Sequence, residues 1–395
     1  MDFSRNPFRY GGDLGSVDLV DRVEETALVE AAIRNGEKLF LIGPRRFGKT
    51  SILRAAEERL TERGAIVLRL NAEAYPSLDM LVEKIVSFAA KNLKGKADLV
   101  LDRMKRYFSI LKPEIKFNVV EQEFTVGIAA GDSSDSERPV TLLIDALNGL
   151  EKLAAEQPAS RPVGFILDEF QSVVARGGVP AEAQIRSAIQ EHGRVGYVFS
   201  GSQTRLMTDM TMRHERPLYR LGASRFIGPL PRADFSSYLR SQFRKGGFAV
   251  KDSAPIDSIL DLSEDVPYNV QMLAHNCWEA LREMSGKKRP ELTSALVEEI
   301  LARTVQGLDP LFTQTWTRLT PAQQRTLIAV IRQSGSGMSS TATARMVGVS
   351  VSSVQSAINS LHDHNILRDD PAEGRIRMKF EDPFFAQWIR MVVMA

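Results

Sequence analysis

One stretch near the start of the chain constrains its fold and chemistry more than any other. Residues 38–42 form a short run that is apolar after its first residue, and the nine residues that follow it read Gly43-Pro44-Arg45-Arg46-Phe47-Gly48-Lys49-Thr50-Ser51. These residues match the pattern G-x-x-x-x-G-K-[ST] at every fixed position, between a predicted strand and a predicted helix. In such a loop, successive backbone amides and the positive end of the next helix dipole face phosphate oxygens. The stretch therefore predicts a phosphate-binding loop, and all nine residues are candidate nucleotide contacts.

Two side chains of this phosphate loop (Gly43–Ser51) carry specific chemistry. The pattern predicts that Lys49 reaches the β- and γ-phosphates and that the Thr50 hydroxyl ligates magnesium. The glycines allow the backbone to curl around the phosphates. We therefore expect ATP and Mg²⁺ as the ligands.

A phosphate loop requires a second acidic group to complete the magnesium site. Residues 164–167 form an apolar strand that is followed by Asp168 and Glu169. We expect Asp168 to hold magnesium through its water shell and Glu169 to activate a water for in-line attack on the γ-phosphate. An Asp-Glu pair after a strand is also common on protein surfaces, and that is the alternative.

A further polar group follows the next apolar strand, Val195 to Phe199. The chain continues with Ser200, Gly201 and Ser202. Ser202, with Ser200 as the second choice, is expected to contact the γ-phosphate or the attacking water. The alternative is a plain turn made of serine and glycine.

The first half of the chain alternates short apolar strands with helical stretches, which predicts an α/β fold with a parallel sheet and helices on both faces. Ligands bind at the carboxyl ends of such strands. Residues 115–128 alternate apolar and polar side chains, and we interpret them as a β-hairpin insertion that packs on the sheet edge or docks a partner. The predicted sheet strands are Lys38–Ile42, Ala65–Leu70, Gly164–Leu167, Val195–Phe199 and Arg225–Ile227.

The strands stop near Ala233, and helical periodicity takes over. A third unit begins with a helix capped by Thr320, continues through helices over 341–347 and 351–364, and ends in two strands between 366 and 380. This order predicts a winged helix-turn-helix. For the 395 residues we expect an ASCE-type P-loop core over 1–232 with the hairpin insertion near 112–130, a helical lid over 233–310, and a winged helix over 311–395.

The overall composition is that of a soluble globular protein. The 51 basic and 49 acidic residues leave a formal charge of +2, so no global field draws the chain to nucleic acid. The single cysteine, Cys277, excludes an internal disulfide and is expected to be a buried core thiol. No run approaches the ~18 apolar residues of a membrane span, and the amino terminus shows no signal region. We expect a cytoplasmic protein without membrane contact.

The Gly-Pro-Arg-Arg-x-Gly-Lys-Thr-Ser version of the loop resembles that of the archaeal-type ATPases, a branch of the AAA+/STAND P-loop proteins. Residues 19–25 look like the adenine-side box of that family, 216–220 like its arginine-bearing segment, and 382–390 like its closing motif. The resemblance implies an ATPase core, a helical lid and a winged helix, with ATP between core and lid and a subunit interface nearby. The nucleotide contacts it implies, besides the phosphate loop, are Asp21, Arg22 and Pro267.

The resemblance also implies an arginine finger that stabilises charge on the γ-phosphate, and Arg220 is the first candidate, ahead of Arg216 and Arg225. Two departures from the family pattern are visible. Its lid motif Gly-x-Pro is replaced by Asp265-Val266-Pro267, and the nuclease domain that often follows the winged helix has no counterpart here. Any effector is then expected to be a separate protein.

The sequence supports three functions. The first is an ATP-hydrolysing switch with slow turnover that a partner or a second copy stimulates. The second is a duplex-DNA-binding regulator controlled by ATP binding alone, and the third is an adaptor that recruits an effector. DNA contact does not follow from the winged helix itself, because 350–362 carries no charged residue. Basic residues of this unit lie elsewhere, among them Arg345, Arg368, Arg375, Arg377 and Lys379.

Overall fold

The computed structural model describes residues 5–12, 22–93, 97–108, 110–111, 114–118, 123–127, 138–284, 290–372 and 375–395. The chain divides into two compact units, each of which is discontinuous in sequence. The core unit comprises Asp13–Gly43 and Lys49–Ile227. The carboxyl-terminal unit comprises Met1–Gly12, Pro44–Gly48 and Gly228–Ala395. The middle of the phosphate loop therefore belongs to the same unit as the second half of the chain.

The described part of the core unit alternates helices and strands as the sequence predicts. Its elements are α1 (Val23–Asn35), β1 (Lys38–Ile42), α2 (Lys49–Glu62), β2 (Ile66–Asn71), a 3-10 turn (Ala72–Ala74), α3 (Leu78–Asn92), α4 (Ala97–Tyr107), β3 (Glu114–Asn118), β4 (Glu123–Gly127), α5 (Arg138–Ala155), β5 (Val163–Asp168), α6 (Gln171–Ile189), β6 (Val195–Gly201), α7 (Thr204–Met212) and β7 (Ala223–Phe226).

Five of these strands form one parallel sheet in the order β2-β5-β6-β1-β7. Every residue of β5 and β6 is buried, as expected for central strands that are covered on both faces. A side chain at Gly196 would approach the Ile33 backbone to 2.3 Å, so this glycine allows α1 to pack directly on the sheet. The predicted α/β class with a parallel sheet is confirmed, and the strand ends differ from the predicted ones by at most two residues.

Strands β3 and β4 lie in the segment for which the sequence predicts a hairpin. They pair with each other in antiparallel register, with Phe117 opposite Phe124, and form a separate two-stranded sheet. β4 lies beside α3.

The amino ends of β1 and β6 carry a compact polar cluster. The Glu151 carboxylate accepts hydrogen bonds from the backbone amides of Gly193, Arg194 and Val195, each at 2.9 Å. Nearby, His192 Nδ1 lies 2.8 Å from the Tyr197 hydroxyl, and its Nε2 lies 3.1 Å from Asn148 Oδ1. We call Glu151, His192 and Tyr197, together with Lys38 whose Nζ donates to the His192 carbonyl, the amino-edge cluster.

Burial shifts the ionisation of this cluster. Desolvation lowers the pKa of His192 below its ordinary value of 6.5, and the nearby Lys38 charge lowers it further, against the opposing effect of Glu151 and Glu191. Burial also lowers the pKa of Lys38 and raises the pKa of Tyr197 well above 10. Burial therefore makes the charged forms of these side chains less favourable than they are in water.

The carboxyl-terminal unit is helical, with one small hairpin among its described residues. Its elements are α8 (Arg232–Lys245), α9 (Ala254–Leu262), α10 (Pro267–Glu283), α11 (Ser294–Gly307), α12 (Asp309–Thr317), α13 (Pro321–Arg332), α14 (Thr341–Val347), α15 (Val351–Asp363), β8 (Leu367–Ala372), β9 (Arg375–Phe380), α16 (Pro383–Trp388) and a π-turn (Ile389–Val393).

The three helices and two strands at its end follow the order predicted for a winged helix-turn-helix. Thr320 and Gln323 form a capping box in front of Pro321, which fixes the start of α13. Gly348 ends α14 in the left-handed conformation with φ 72°, as a helix-ending glycine often does. Strands β8 and β9 then pair in antiparallel register.

Two features of this unit extend the sequence interpretation. Helix α12 was not predicted. Asp309 is its first residue, and the Asp309 carboxylate accepts a hydrogen bond from the Trp388 indole of α16 at 2.7 Å. Cys277 is fully buried, which confirms the expected core thiol.

Across the described residues of both units, no helix combines the length and apolar character needed to cross a bilayer.

Candidate nucleotide-binding site

The phosphate loop begins at the edge of the sheet where three neighbouring strands end. β5, β6 and β1 are adjacent and parallel, so their carboxyl ends lie together. Ile42 at the end of β1 pairs with Gly201 at the end of β6, and the Gly43 amide donates to the Gly201 carbonyl at 3.4 Å. The core unit therefore brings together the residues that the sequence predicts from three separate segments.

Asp168 is the centre of the first group of contacts. Thr50 Oγ1 donates to Asp168 Oδ2 at 2.8 Å, and Ser200 Oγ donates to Asp168 Oδ1 at 2.6 Å. The carboxylate is almost fully buried, with 1% of the residue exposed. A hydroxyl and a carboxylate at this separation are oxygen ligands that suit Mg²⁺, with water and phosphate oxygens filling the other positions. The two predicted metal residues thus fit the ion.

Glu169 is the centre of a second group. Its Oε2 accepts hydrogen bonds from the Ser202 amide at 3.1 Å and from Ser202 Oγ at 2.7 Å. Gln171 Nε2 donates to the same oxygen at 2.5 Å. The sequence interpretation named Glu169 and Ser202 without predicting their contact, and it did not single out Gln171. The only signal for Gln171 was its place two residues beyond the acidic pair.

The glycines of the loop have different reasons to be glycine. A Cβ on Gly43 would lie 2.5 Å from the Ile227 carbonyl oxygen, so close strand packing requires the bare backbone. Gly48 instead has φ 87°, a left-handed conformation that glycine adopts without strain. Lys49 and Ser51, in the first turn of α2, are buried, as is expected for side chains that face a loop interior.

The apex of the phosphate loop is held by residues from the far end of the sequence. Arg46 forms an ion pair with Asp382, and its guanidinium lies over the Tyr268 ring with 5.1 Å to the centroid. The Tyr268 amide also donates to the Arg46 carbonyl at 3.3 Å. Arg46 has φ 69°, which is uncommon for a residue other than glycine. These contacts hold it in that conformation.

Phe47, the next residue, is 2% exposed. The Arg368 guanidinium lies 5.1 Å from the centroid of its ring, in a cation–π arrangement. Pro44 is half-buried and Arg45 is exposed. Arg46 and Phe47 therefore contact residues of the carboxyl-terminal unit, to which Pro44–Gly48 belong. The nucleotide contacts predicted for Pro44, Arg45, Arg46 and Phe47 stay predictions.

Pro267 opens α10, next to Tyr268. Asp265, which stands where the family pattern has glycine, has φ 55°, and Glu264 before it has φ 48°. The departure from Gly-x-Pro thus retains the left-handed backbone that a glycine would favour, since aspartate tolerates this conformation better than most residues. The nucleotide contact proposed for Pro267 stays a prediction.

The three candidate arginines have different surroundings. Arg220 is exposed, with φ 52° and its guanidinium 5.2 Å from the centroid of the Tyr219 ring. Arg216 instead pairs through two nitrogens with the fully buried Glu182. Arg225 lies 3.5 Å from Glu24. Arg216 is committed to an internal ion pair, so Arg220 remains the first candidate for a finger.

The adenine-side residues are described only in part. Asp21 lies outside the described residues. Arg22 is buried and pairs with Glu25 at 3.1 Å, while its carbonyl accepts from Thr26 Oγ1 at 2.7 Å. These contacts stabilise the start of α1.

Comparison with solved structures shows the same fold elsewhere. A Walker-type ATPase of Pyrococcus abyssi matches with a TM-score of 0.61 and 17% identity, over 97% of this chain and 99% of that one. The ORC2 protein of Aeropyrum pernix, in a structure of its ADPNP and ADP complexes, matches with a TM-score of 0.53 and 14% identity, over 99% of both chains. At these identities the likeness establishes that this chain shares the fold of these two proteins. No protein-family model and no curated protein sequence matches this chain.

Proposed function

We propose that this chain is a Mg²⁺-dependent ATP-binding and ATP-hydrolysing switch of the AAA+/STAND kind. The observation that carries the proposal is the pair of contacts at the carboxyl edge of the sheet, Thr50 with Asp168 and Ser202 with Glu169. They join a complete phosphate loop to one carboxylate that suits a metal ligand and a second carboxylate that suits a general base.

The roles follow from chemistry and position. Lys49 places its positive charge on the β- and γ-phosphates, and Thr50 and Asp168 hold the ion. When bound, Mg²⁺ neutralises the charge that develops on the phosphate oxygens. Glu169 orients a water and takes its proton, while Ser202 links Glu169 to β6 and reports the state of the γ-phosphate.

Arg220 completes the proposed site from a second copy of the chain. It is exposed, and a guanidinium supplied across a subunit interface raises turnover by about 10³-fold or more in related chemistry. An isolated copy would then turn over slowly, and assembly would switch it on. A separate effector protein would respond to the nucleotide state.

Steady-state ATP hydrolysis of the wild type and of Glu169→Gln tests this proposal. We expect Mg²⁺-dependent turnover in the wild type, with loss of turnover and retention of ATP binding in the variant. A wild type that binds ATP and never hydrolyses it would leave the nucleotide as a regulatory ligand, as in the regulator and adaptor alternatives.

A second proposal concerns duplex DNA, and one observation favours it. An open groove of about 510 Å³ runs along one face of α8, where Arg240, Arg244 and Lys245 alternate with Ser237 and Ser241. Three cations and two hydroxyls on one helix face suit a phosphate backbone. We propose that this face contacts DNA, instead of the uncharged face of α15.

The groove and the wing make different predictions for DNA binding. Lys379 of β9 pairs with Asp370 at 3.0 Å, so part of the positive charge of the wing is compensated. We expect alanine at Arg240, Arg244 and Lys245 to make the plot of log binding constant against log salt concentration less steep. The slope should change by ~0.9 for each phosphate that the protein no longer neutralises. The matched control is alanine at Arg377 and Lys379. If the control has the larger effect in fluorescence anisotropy, the wing is the DNA surface.

A further inference from the structure

We propose that Gln171, the first residue of α6, is a positioning residue that holds the Glu169 carboxylate so that its other oxygen, Oε1, faces the attacking water. The inference rests on the proposed function, because it takes Glu169 as the base of ATP hydrolysis. It adds a residue that the phosphate-loop pattern does not include.

The first argument is the distribution of hydrogen bonds on the Glu169 carboxylate. Within the described residues, the bonds that it accepts all fall on Oε2, from Gln171 Nε2, the Ser202 amide and Ser202 Oγ. A carboxylate oxygen offers about two lone-pair sites, so three donors saturate it. Oε1 is thereby the oxygen that remains to accept a proton.

The second argument is the orientation of the Gln171 amide. An ionised carboxylate only accepts hydrogen bonds, so the amide must turn its NH₂ group towards Glu169. Its own oxygen then points into the protein, where it is buried and has no hydrogen-bond partner in the described part of the chain. Gln171 is 1% exposed. A buried amide oxygen without a partner destabilises a fold, and an apolar side chain would avoid that loss. The donated bond to Glu169 accounts for a glutamine here.

The third argument is the backbone around this contact. Glu169 has φ 54°, a left-handed conformation that is uncommon for glutamate and that clusters at functional sites. On β6, a Cβ at Gly201 would lie 2.6 Å from Gln171 Oε1. The bare backbone of Gly201 thus leaves space for the Gln171 amide and for Met207 beside it.

A series of substitutions at Gln171 isolates the donated bond. Gln171→Met keeps the length and loses the donor, Gln171→Glu keeps the shape and replaces the donor by an acceptor, and Gln171→His places an N–H at a similar reach. We expect kcat for ATP hydrolysis to fall about tenfold to a hundredfold in the methionine variant, out of the ~10²–10⁴ that a general base contributes. The glutamate variant should fall further, and the histidine variant should recover part of the loss. KM and the ATP dissociation constant should stay within about twofold, because the contact acts after binding.

A double-mutant cycle separates positioning from damage to the fold. If Gln171 acts through Glu169, adding Gln171→Met to Glu169→Gln should lower the residual turnover no further. A further loss in the double variant, or equal losses in the methionine and histidine variants, would overturn the inference in favour of packing. Gln184→Met, on the same helix, is the matched control. If the methionine variant does not fold by circular dichroism, the comparison of histidine with glutamate decides.

The outcomes for the two proposals differ. Wild-type turnover that Glu169→Gln abolishes and Gln171→Met leaves intact would refute the role of Gln171 and keep the proposed function. A wild type without turnover would refute the proposed function itself.

Discussion

The two edges of the parallel sheet carry polar clusters of different kinds. At the amino edge, the Glu151 carboxylate accepts from three backbone amides, and each ring nitrogen of the buried His192 has a neighbour within hydrogen-bond distance. At the carboxyl edge, Asp168 and Glu169 accept chiefly from side-chain hydroxyls and an amide, and Gln171 keeps a buried oxygen without a partner among the described residues.

The difference indicates what each edge is for. A carboxylate that accepts from backbone amides caps the ends of strands and helices. Its donors are fixed by the fold, so these contacts cannot be exchanged without unfolding. Hydroxyl and amide side chains can turn, so contacts such as Thr50 with Asp168 can be exchanged for a metal or a water. We therefore expect substitutions at the amino edge to change stability and those at the carboxyl edge to change chemistry.

The largest effect is expected for Glu169→Gln. It should lower kcat by about 100-fold or more, since a general base contributes ~10²–10⁴. The midpoint of urea unfolding should change little, because the glutamine oxygen can still accept from Ser202 and Gln171. Parallel measurements of turnover and unfolding test this; a large loss of stability would remove the distinction between the edges.

Glu151→Gln should show the opposite behaviour. The Gly193 and Arg194 amides donate to one carboxylate oxygen and the Val195 amide to the other, so the NH₂ group of a glutamine would face at least one backbone donor. At least one N–H is left unpaired, which costs about 1–3 kcal/mol of unfolding free energy. ATP affinity should match that of the wild type. The exposed Glu62, changed to glutamine, is the matched control, and a loss of ATP binding in Glu151→Gln would contradict the assignment.

The sequence was sufficient for the parts of the site that rest on local pattern. The phosphate loop, the acids after β5 and the serines after β6 all follow apolar runs, and parallel neighbours bring their ends together. Gln171 and Glu151 could not be predicted in this way, because their roles depend on where β6 lies relative to α6 and α5. The pairing of Arg46 with Asp382 is likewise a contact between distant segments with no local signal.

Thr50→Val tests the exchange of contacts at the carboxyl edge. Valine has the shape of threonine without the hydroxyl, so the variant loses both the bond to Asp168 and a metal ligand. ATP affinity with Mg²⁺ should fall about tenfold, equivalent to ~1.4 kcal/mol, and should be unchanged in EDTA. Isothermal titration in the two buffers measures this. An equal loss in both buffers would show that the hydroxyl serves the fold and not the ion.

The smallest effect concerns pH and the amino edge. The pKa of His192 is lower in the folded chain than in the unfolded chain, so the unfolded chain binds more protons as the pH falls. The contribution of the neutral His192 to stability is therefore complete above about pH 6.5 and is lost as the pH falls below it. The titratable groups near His192 are Lys38, Glu151, Glu191 and Tyr197. His192→Gln removes this titration, so its unfolding free energy should fall less steeply between pH 7.5 and 5. Equal slopes in urea unfolding would contradict the buried neutral imidazole.

The attachment of Arg46 and Phe47 to Asp382 and Arg368 has a consequence for synthesis on the ribosome. The loop apex is synthesised early. Arg368, which lies over Phe47, and Asp382, which pairs with Arg46, are synthesised only after the whole core. Domains fold in order as they emerge, so a finished sheet would precede the residues that pair with Arg46 and stack on Phe47. Ribosome-bound chains that stop before residue 368 should therefore be the form of this protein that depends most on chaperones.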